Sequence, residues 1–136
     1  MLMRDELYLG NCLEIMRSLP DNSVDTMITD PPYGLSDHKD VSDVLRAWIL
    51  GEEYQPKGKG FMGKEWDSFV PPPSIWKECL RVLKPGGMAF VFAGTRSFDL
   101  MAISMRLAGF EIKDSIWHGL TTTKRLRCSK PKLGLS

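Results

Sequence analysis

Asp30, Pro31, Pro32 and Tyr33 place a carboxylate, two ring-locked residues without backbone donors and an aromatic face in four consecutive positions, and Gly34 follows. The prolines fix φ and hold nearby carbonyls out as acceptors for an outside group. Tyr33 offers a flat face, and Gly34 permits a sharp turn or a close approach. Two acceptors beside an aromatic plane suit a planar amine, whose hydrogens go to Asp30 and a proline-region carbonyl while its ring stacks on Tyr33. An exocyclic nucleobase amine is a poor nucleophile because its lone pair is delocalised. Acceptors that draw the nitrogen toward tetrahedral geometry localise that pair, an effect that grows as a new bond to nitrogen forms. The competing reading of DPPYG is a tight turn in which Asp30 caps a local donor. The surrounding elements decide between the two.

Residues 24–29, VDTMIT, read as a central, largely buried strand that ends at Asp30. Before it, Asn11 and Glu14 make a capping box for a helix with Cys12, Ile15, Met16 and Leu19 on one face, stopped by Pro20. After the motif, residues 35–73 form an irregular excursion in which Ser42 can cap a short helix carrying Val44, Leu45 and Trp48. Ser74 is the expected cap of IWKECLRVL, with Ile75, Cys79 and Val82 as its apolar stripe, widened by Trp76, Leu80 and Leu83. Pro85, Gly86 and Gly87 then turn the chain. Residues 88–94, MAFVFAG, are the clearest buried strand. A helix from about Phe98 to Ala108 closes at Gly109, and residues 110–117 alternate as a more exposed strand that can pair in either direction. Strands and helices in this alternation predict crossovers on a mainly parallel sheet. In such sheets ligands bind beyond the carboxyl ends of the strands, where Asp30 stands.

At 136 residues the chain is the size of one domain, and 43% hydrophobic with 26% charged residues places it among globular chains. No apolar run approaches the length of a membrane span, and MLMRDELYLG meets acid at Asp5 and Glu6, so neither membrane insertion nor a signal region is expected and the chain reads as cytoplasmic. Cys12, Cys79 and Cys128 are odd in number and scattered, which fits reduced thiols, with Cys12 and Cys79 expected in cores. The net charge of +1 divides unevenly: residues 1–119 carry −4, while residues 120–136, with Lys124, Arg125, Arg127, Lys130 and Lys132, carry +5. Charge alone does not mark the main body as a nucleic-acid binder.

On these residues the chain resembles the DNA amino-methyltransferases, which methylate adenine N6 or cytosine N4 from S-adenosylmethionine. The family signature (D/N/S)-P-P-(Y/F/W) stands as Asp30, Pro31, Pro32 and Tyr33, and LYLGNCLEIMRSLP, SVDTMITDPPYG and WKECLRVLKPGGMAFVFAG look like family stretches. The resemblance runs from residue 7 to about residue 118. It implies an α/β chain with part of the Rossmann-like methyltransferase fold, a mainly parallel sheet with helices on both faces. Residues 1–119 would be the catalytic half, interrupted by the excursion 35–73; residues 120–136 lie beyond the resemblance, show no period and read as an unstructured basic tail. It further implies that Asp30 and a carbonyl at Pro31 or Pro32 bind a flipped-out amine, that Tyr33 stacks on the base, and that Asn11 and Asp30 lie near the S-adenosylmethionine cofactor. The aspartate form of the motif resembles adenine-N6 enzymes. Cytosine-N4 methylation, or an inactive remnant that binds DNA or a partner, are the alternatives. Double-stranded DNA is the implied partner. The family's glycine-rich cofactor motif and recognition domain have no match in the sequence. The chain therefore reads as the first half of such an enzyme, to be completed by a C-terminal half or a dimer partner.

Other residues carry less. Gly94, Thr95 and Arg96 follow a strand end and should edge the same cleft, with Arg96 in reach of a phosphate or simply solvated. GFMGKEWDSF, with Lys59 before it and Lys64 within it, reads as a flap over DNA or as a loop pinned by its aromatics. His38 and His118 have no partners at ligand spacing, so no metal is expected. Gly86 and Gly87 follow a helix and precede a strand, the reverse of a dinucleotide fingerprint.

Overall fold

The computed structural model describes residues 5–34, 41–53, 69–118 and 123–129, with the backbone alone at 115–118 and 123–129. The elements are α1 (Cys12–Ser18), β1 (Val24–Thr29), α2 (Val41–Ile49), α3 (Pro73–Val82), β2 (Leu83–Ala93), α4 (Phe98–Ala108), β3 (Glu111–His118) and β4 (Thr123–Ser129). The four strands form one open sheet in the order β1-β2-β4-β3, which puts β1 at an edge with none of its residues buried, against the expectation of a central, largely buried strand. β1 lies parallel to β2, so Ile28 faces Phe90 and Thr29 faces Val91, and the chain between these strands carries α2 and α3. The parallel character expected from the sequence is carried by this pair. β4 runs antiparallel to both of its neighbours, β2 and β3.

Two boundaries differ from expectation. α3 begins at Pro73, with Pro72 in the cap position and no side-chain cap; Ser74 lies inside the first turn. Proline suits that place because its missing N–H would have had no helical partner. β2 begins at Leu83 rather than near Met88: Val24 faces Leu83 and Thr26 faces Met88, so residues 84–87 form a bulge inside the strand.

The tail also requires a correction. Residues 123–129 form β4, inserted between β2 and β3, rather than part of an unstructured tail. Its basic sequence carries almost no apolar periodicity. What makes it a strand is a ladder on each side, which pairs backbone groups whatever the side chains.

One face of β2 supplies Ala89, Val91 and Ala93 to a core completed by Trp48, Val70, Trp76, Leu83, Met101 and Met105. The prolines before α3 are pinned there, since the Pro71 carbonyl accepts from Trp76 Nε1 at 3.2 Å and from Ser104 Oγ at 2.6 Å. Trp48 and Phe69 meet edge to face with ring centroids 5.7 Å apart. Arg81 ties α1 to α3, donating to the carbonyls of Met16 and Leu19 at 2.8 and 3.0 Å while pairing with Asp21 and Glu78. No described helix is long and apolar enough to cross a membrane.

The cysteines separate by environment. Cys79 is buried in α3, but Cys12 is exposed because the short α1 buries none of its residues, against the expectation of a core position. Burial, with Cys12 as the next cause, pushes the Cys79 thiol from 9.0 up to about 12. Above about pH 9 the unfolded chain loses a proton that the folded chain keeps, so this group destabilises the fold progressively as pH rises. At pH 8, iodoacetamide should alkylate Cys12 and spare Cys79 until the protein is denatured, read by peptide mass spectrometry. Equal labelling of the two in the native protein would contradict this placement of α3.

Candidate active site

Asp30 is the first residue beyond β1, exposed at the carboxyl end of a strand whose parallel neighbour is β2. The Tyr33 hydroxyl donates to its Oδ1. The carboxylate is thus held at the hydroxyl edge of the aromatic ring. Pro31, Pro32 and Tyr33 are half-buried and Gly34 is buried.

Gly34 has φ +62, and a Cβ there would stand 2.9 Å from both Phe69 Cα and Val70 N. Only glycine fits the backbone conformation and the space together, so the motif turns tightly against the segment leading to α3. A second close approach holds the tyrosine: a Cβ at Gly94 would stand 3.3 Å from Tyr33 Cβ and 3.4 Å from Ser97 Oγ. Ser97 Oγ in turn donates to the Tyr33 carbonyl.

A cavity of about 540 Å³ opens beside Asp30, Pro31 and Pro32, lined also by Cys12, Met16, Met27, Thr29, Phe69, Ile75, Trp76 and Cys79; Tyr33 is not among its lining residues. Its walls are mostly apolar, and among the described residues Asp30 is the one carboxylate or cation that lines it. Such a cavity accepts a planar or apolar group and presents a fixed carboxylate to it.

The structure therefore brings Asp30, Pro31, Pro32 and Tyr33 together and places Gly94 against them, as expected from its position after the strand. Asn11 caps α1 by accepting from Leu13 N at 2.9 Å; it does not line the cavity, although the next residue, Cys12, does. Ser97 carried no signal in the sequence, because a serine before a helix reads as a cap. Lys59, Lys64, His38 and nearly all of the GFMGKEWDSF flap lie outside the described residues. Among the described residues no cluster of three or more His, Cys, Asp or Glu is arranged to hold a metal ion.

The model of a family described as DNA methylase, of the N6/N4 type, matches residues 24–125, from the first residue of β1 into β4. The chain belongs to this DNA methylase family. Among curated relatives, the type II methyltransferase M.BamHI of Bacillus amyloliquefaciens is 34% identical over 64% of the chain. M.BglII of Bacillus subtilis is 30% identical over 89% of it. M.HpaI of Haemophilus parainfluenzae is 30% identical over 69%. The chain spans only 17%, 32% and 24% of these methylases, respectively. Among solved structures, the DNA modification methylase TTHA0409 of Thermus thermophilus, complexed with S-adenosyl-L-methionine, shares the fold at a TM-score of 0.57 and 17% identity. That match takes in 94% of this chain and 54% of TTHA0409.

Proposed function

We propose that this chain is the base-binding half of a DNA amino-methyltransferase, acting on the N6 amine of an adenine turned out of duplex DNA with S-adenosylmethionine as methyl donor. One observation carries the reading. The Asp30 carboxylate is exposed at the end of β1, oriented by the Tyr33 hydroxyl and beside an apolar cavity. Family membership and the TTHA0409 complex with S-adenosyl-L-methionine support the choice of chemistry, and the aspartate form of the motif favours adenine.

Base extrusion is required because an amine paired inside the duplex cannot present both its hydrogens and its lone pair to protein groups. A base stacked on Tyr33 meets Asp30 at the ring edge, since the phenol oxygen and the carboxylate are already hydrogen-bonded. Asp30 and a carbonyl of Pro31 or Pro32 accept the amino hydrogens and localise the nitrogen lone pair. As nitrogen gains the methyl it becomes cationic, the fixed carboxylate stabilises that charge, and one amino proton leaves to water. S-adenosylmethionine, when bound, supplies the electrophilic methyl.

The residues present fit the cofactor's apolar and ring-bearing part, with Met16, Met27, Ile75 and Trp76 as walls, Asp30 as a polar contact and Asn11 at the neighbouring helix start. None of the described residues lining the cavity is cationic, so the cofactor's carboxylate finds no partner among them.

The test is incubation of the protein with duplex DNA and S-adenosylmethionine, followed by nucleoside mass spectrometry. N6-methyladenine is the expected product. N4-methylcytosine would replace the adenine reading with the cytosine one. Unmodified DNA, under conditions where the protein is folded, would overturn the proposal that this chain carries out the transfer.

A further inference from the structure

We propose that Ser97 is a positioning residue for the Asp30–Tyr33 pair, acting through the Tyr33 backbone. A serine at a helix N-cap ordinarily turns its oxygen to accept from the first free N–H groups of its own helix. Ser97 occupies that place for α4, with φ −129 and ψ 9, yet makes no side-chain cap. Its hydroxyl donates instead to the carbonyl of Tyr33, 64 residues earlier in the chain. Ser97 is 1% exposed, so this bond is shielded from competing water.

The surroundings make the bond a rigid link. The Ser97 carbonyl accepts the bond from Met101 N at 3.0 Å that starts α4, and Ser97 N reaches back to the Gly94 carbonyl at 3.4 Å. Behind it, Leu100, Met101 and Met105 are buried in the core, which fixes the helix start in place. The same turn leaves no room for a side chain at position 94 beside Tyr33 Cβ, so Tyr33 is held at its carbonyl by a hydrogen bond and crowded at its Cβ by the glycine turn. Its ring then carries the hydroxyl that orients Asp30. The chain of support runs from the α4 start to Ser97, to Tyr33, to the carboxylate. Misplacement of a reacting group by about 1 Å costs about 10²-fold in rate, which is the kind of loss this link prevents.

The link itself is read from geometry; its catalytic consequence rests on the methyltransferase reading. Ser97→Thr and Ser97→Val have the same shape and differ in the hydroxyl, and Ser97→Ala removes the hydroxyl with the least disturbance. In protein labelled with 3-fluorotyrosine, the Tyr33 fluorine signal, assigned by its loss in Tyr33→Phe, reports the ring directly. We expect the signal to keep its position in Ser97→Thr and to move toward that of free fluorotyrosine in folded Ser97→Val or Ser97→Ala. In the methyl-transfer assay, kcat should fall about 10- to 100-fold in Ser97→Val and recover in Ser97→Thr, while KM for the cofactor changes by less than about twofold. A wild-type Tyr33 signal in a folded variant lacking the hydroxyl overturns the link. If wild-type protein transfers no methyl, the enzyme reading fails while the fluorine comparison still decides the role of Ser97.

Discussion

Replacing Asp30 with alanine should lower methyl transfer by about 10²- to 10³-fold while leaving the protein folded. The rate effect is large because, in the proposed mechanism, the carboxylate meets a charge that exists only as nitrogen is alkylated, and removing one fixed partner of a developing charge typically costs that much. The structural effect is small because Asp30 is exposed and its described side-chain contact is the Tyr33 hydroxyl, worth about 0.5–1.5 kcal/mol. Tyr33→Phe should cost less than Tyr33→Ala, since it loses the hydroxyl but keeps the stacking face. Initial rates with duplex DNA, paired with thermal melts, separate the effects. Unchanged transfer in Asp30→Ala would remove the carboxylate from the mechanism.

Trp76→Ala should be the most damaging single truncation of the core, lowering stability by about 3–5 kcal/mol. Trp76 is 2% exposed, shares the core with Met101 and Met105 of α4, and places its indole N–H on the Pro71 carbonyl. Truncation leaves a cavity that the surrounding backbone cannot fill, and it removes the donor to the Pro71 carbonyl, which then keeps Ser104 as its partner. Against a total of about 5–15 kcal/mol the loss is a large fraction, and the melting temperature should fall by about 10 °C or more. Urea unfolding followed by circular dichroism measures it. A loss below about 1 kcal/mol would show that the packing of α3 against α4 contributes little to the fold.

The two variants probe parts of the molecule that differ in how legible they were. Asp30 stood out because the site's chemistry is concentrated in adjacent residues directly after a strand with an apolar run, and the tight turn at Gly34 was implied by its neighbours. Asn11 was readable as a cap, since a cap acts on N–H groups two or three positions away. Trp76 was placed on the apolar stripe of its helix by spacing alone. Its partner Pro71 was not, because nothing local says which carbonyl an indole N–H will find.

The sequence by itself determined the types of the elements from α1 to β3, the position of the Asp30–Tyr33 tetrapeptide at a strand end and the family, all of which depend on short-range pattern: period, proline, glycine and a contiguous motif. Only the tertiary structure decided that β4 enters between β2 and β3, where the backbone groups of both neighbours make a strand of a weakly patterned basic segment. It also decided that the Ser97 hydroxyl bonds Tyr33 rather than capping its own helix, and that Arg81 closes α1 from 62 residues beyond Leu19. These are contacts between groups brought together by packing. Their partners depend on where the core sets each element, information that no window of neighbouring residues contains.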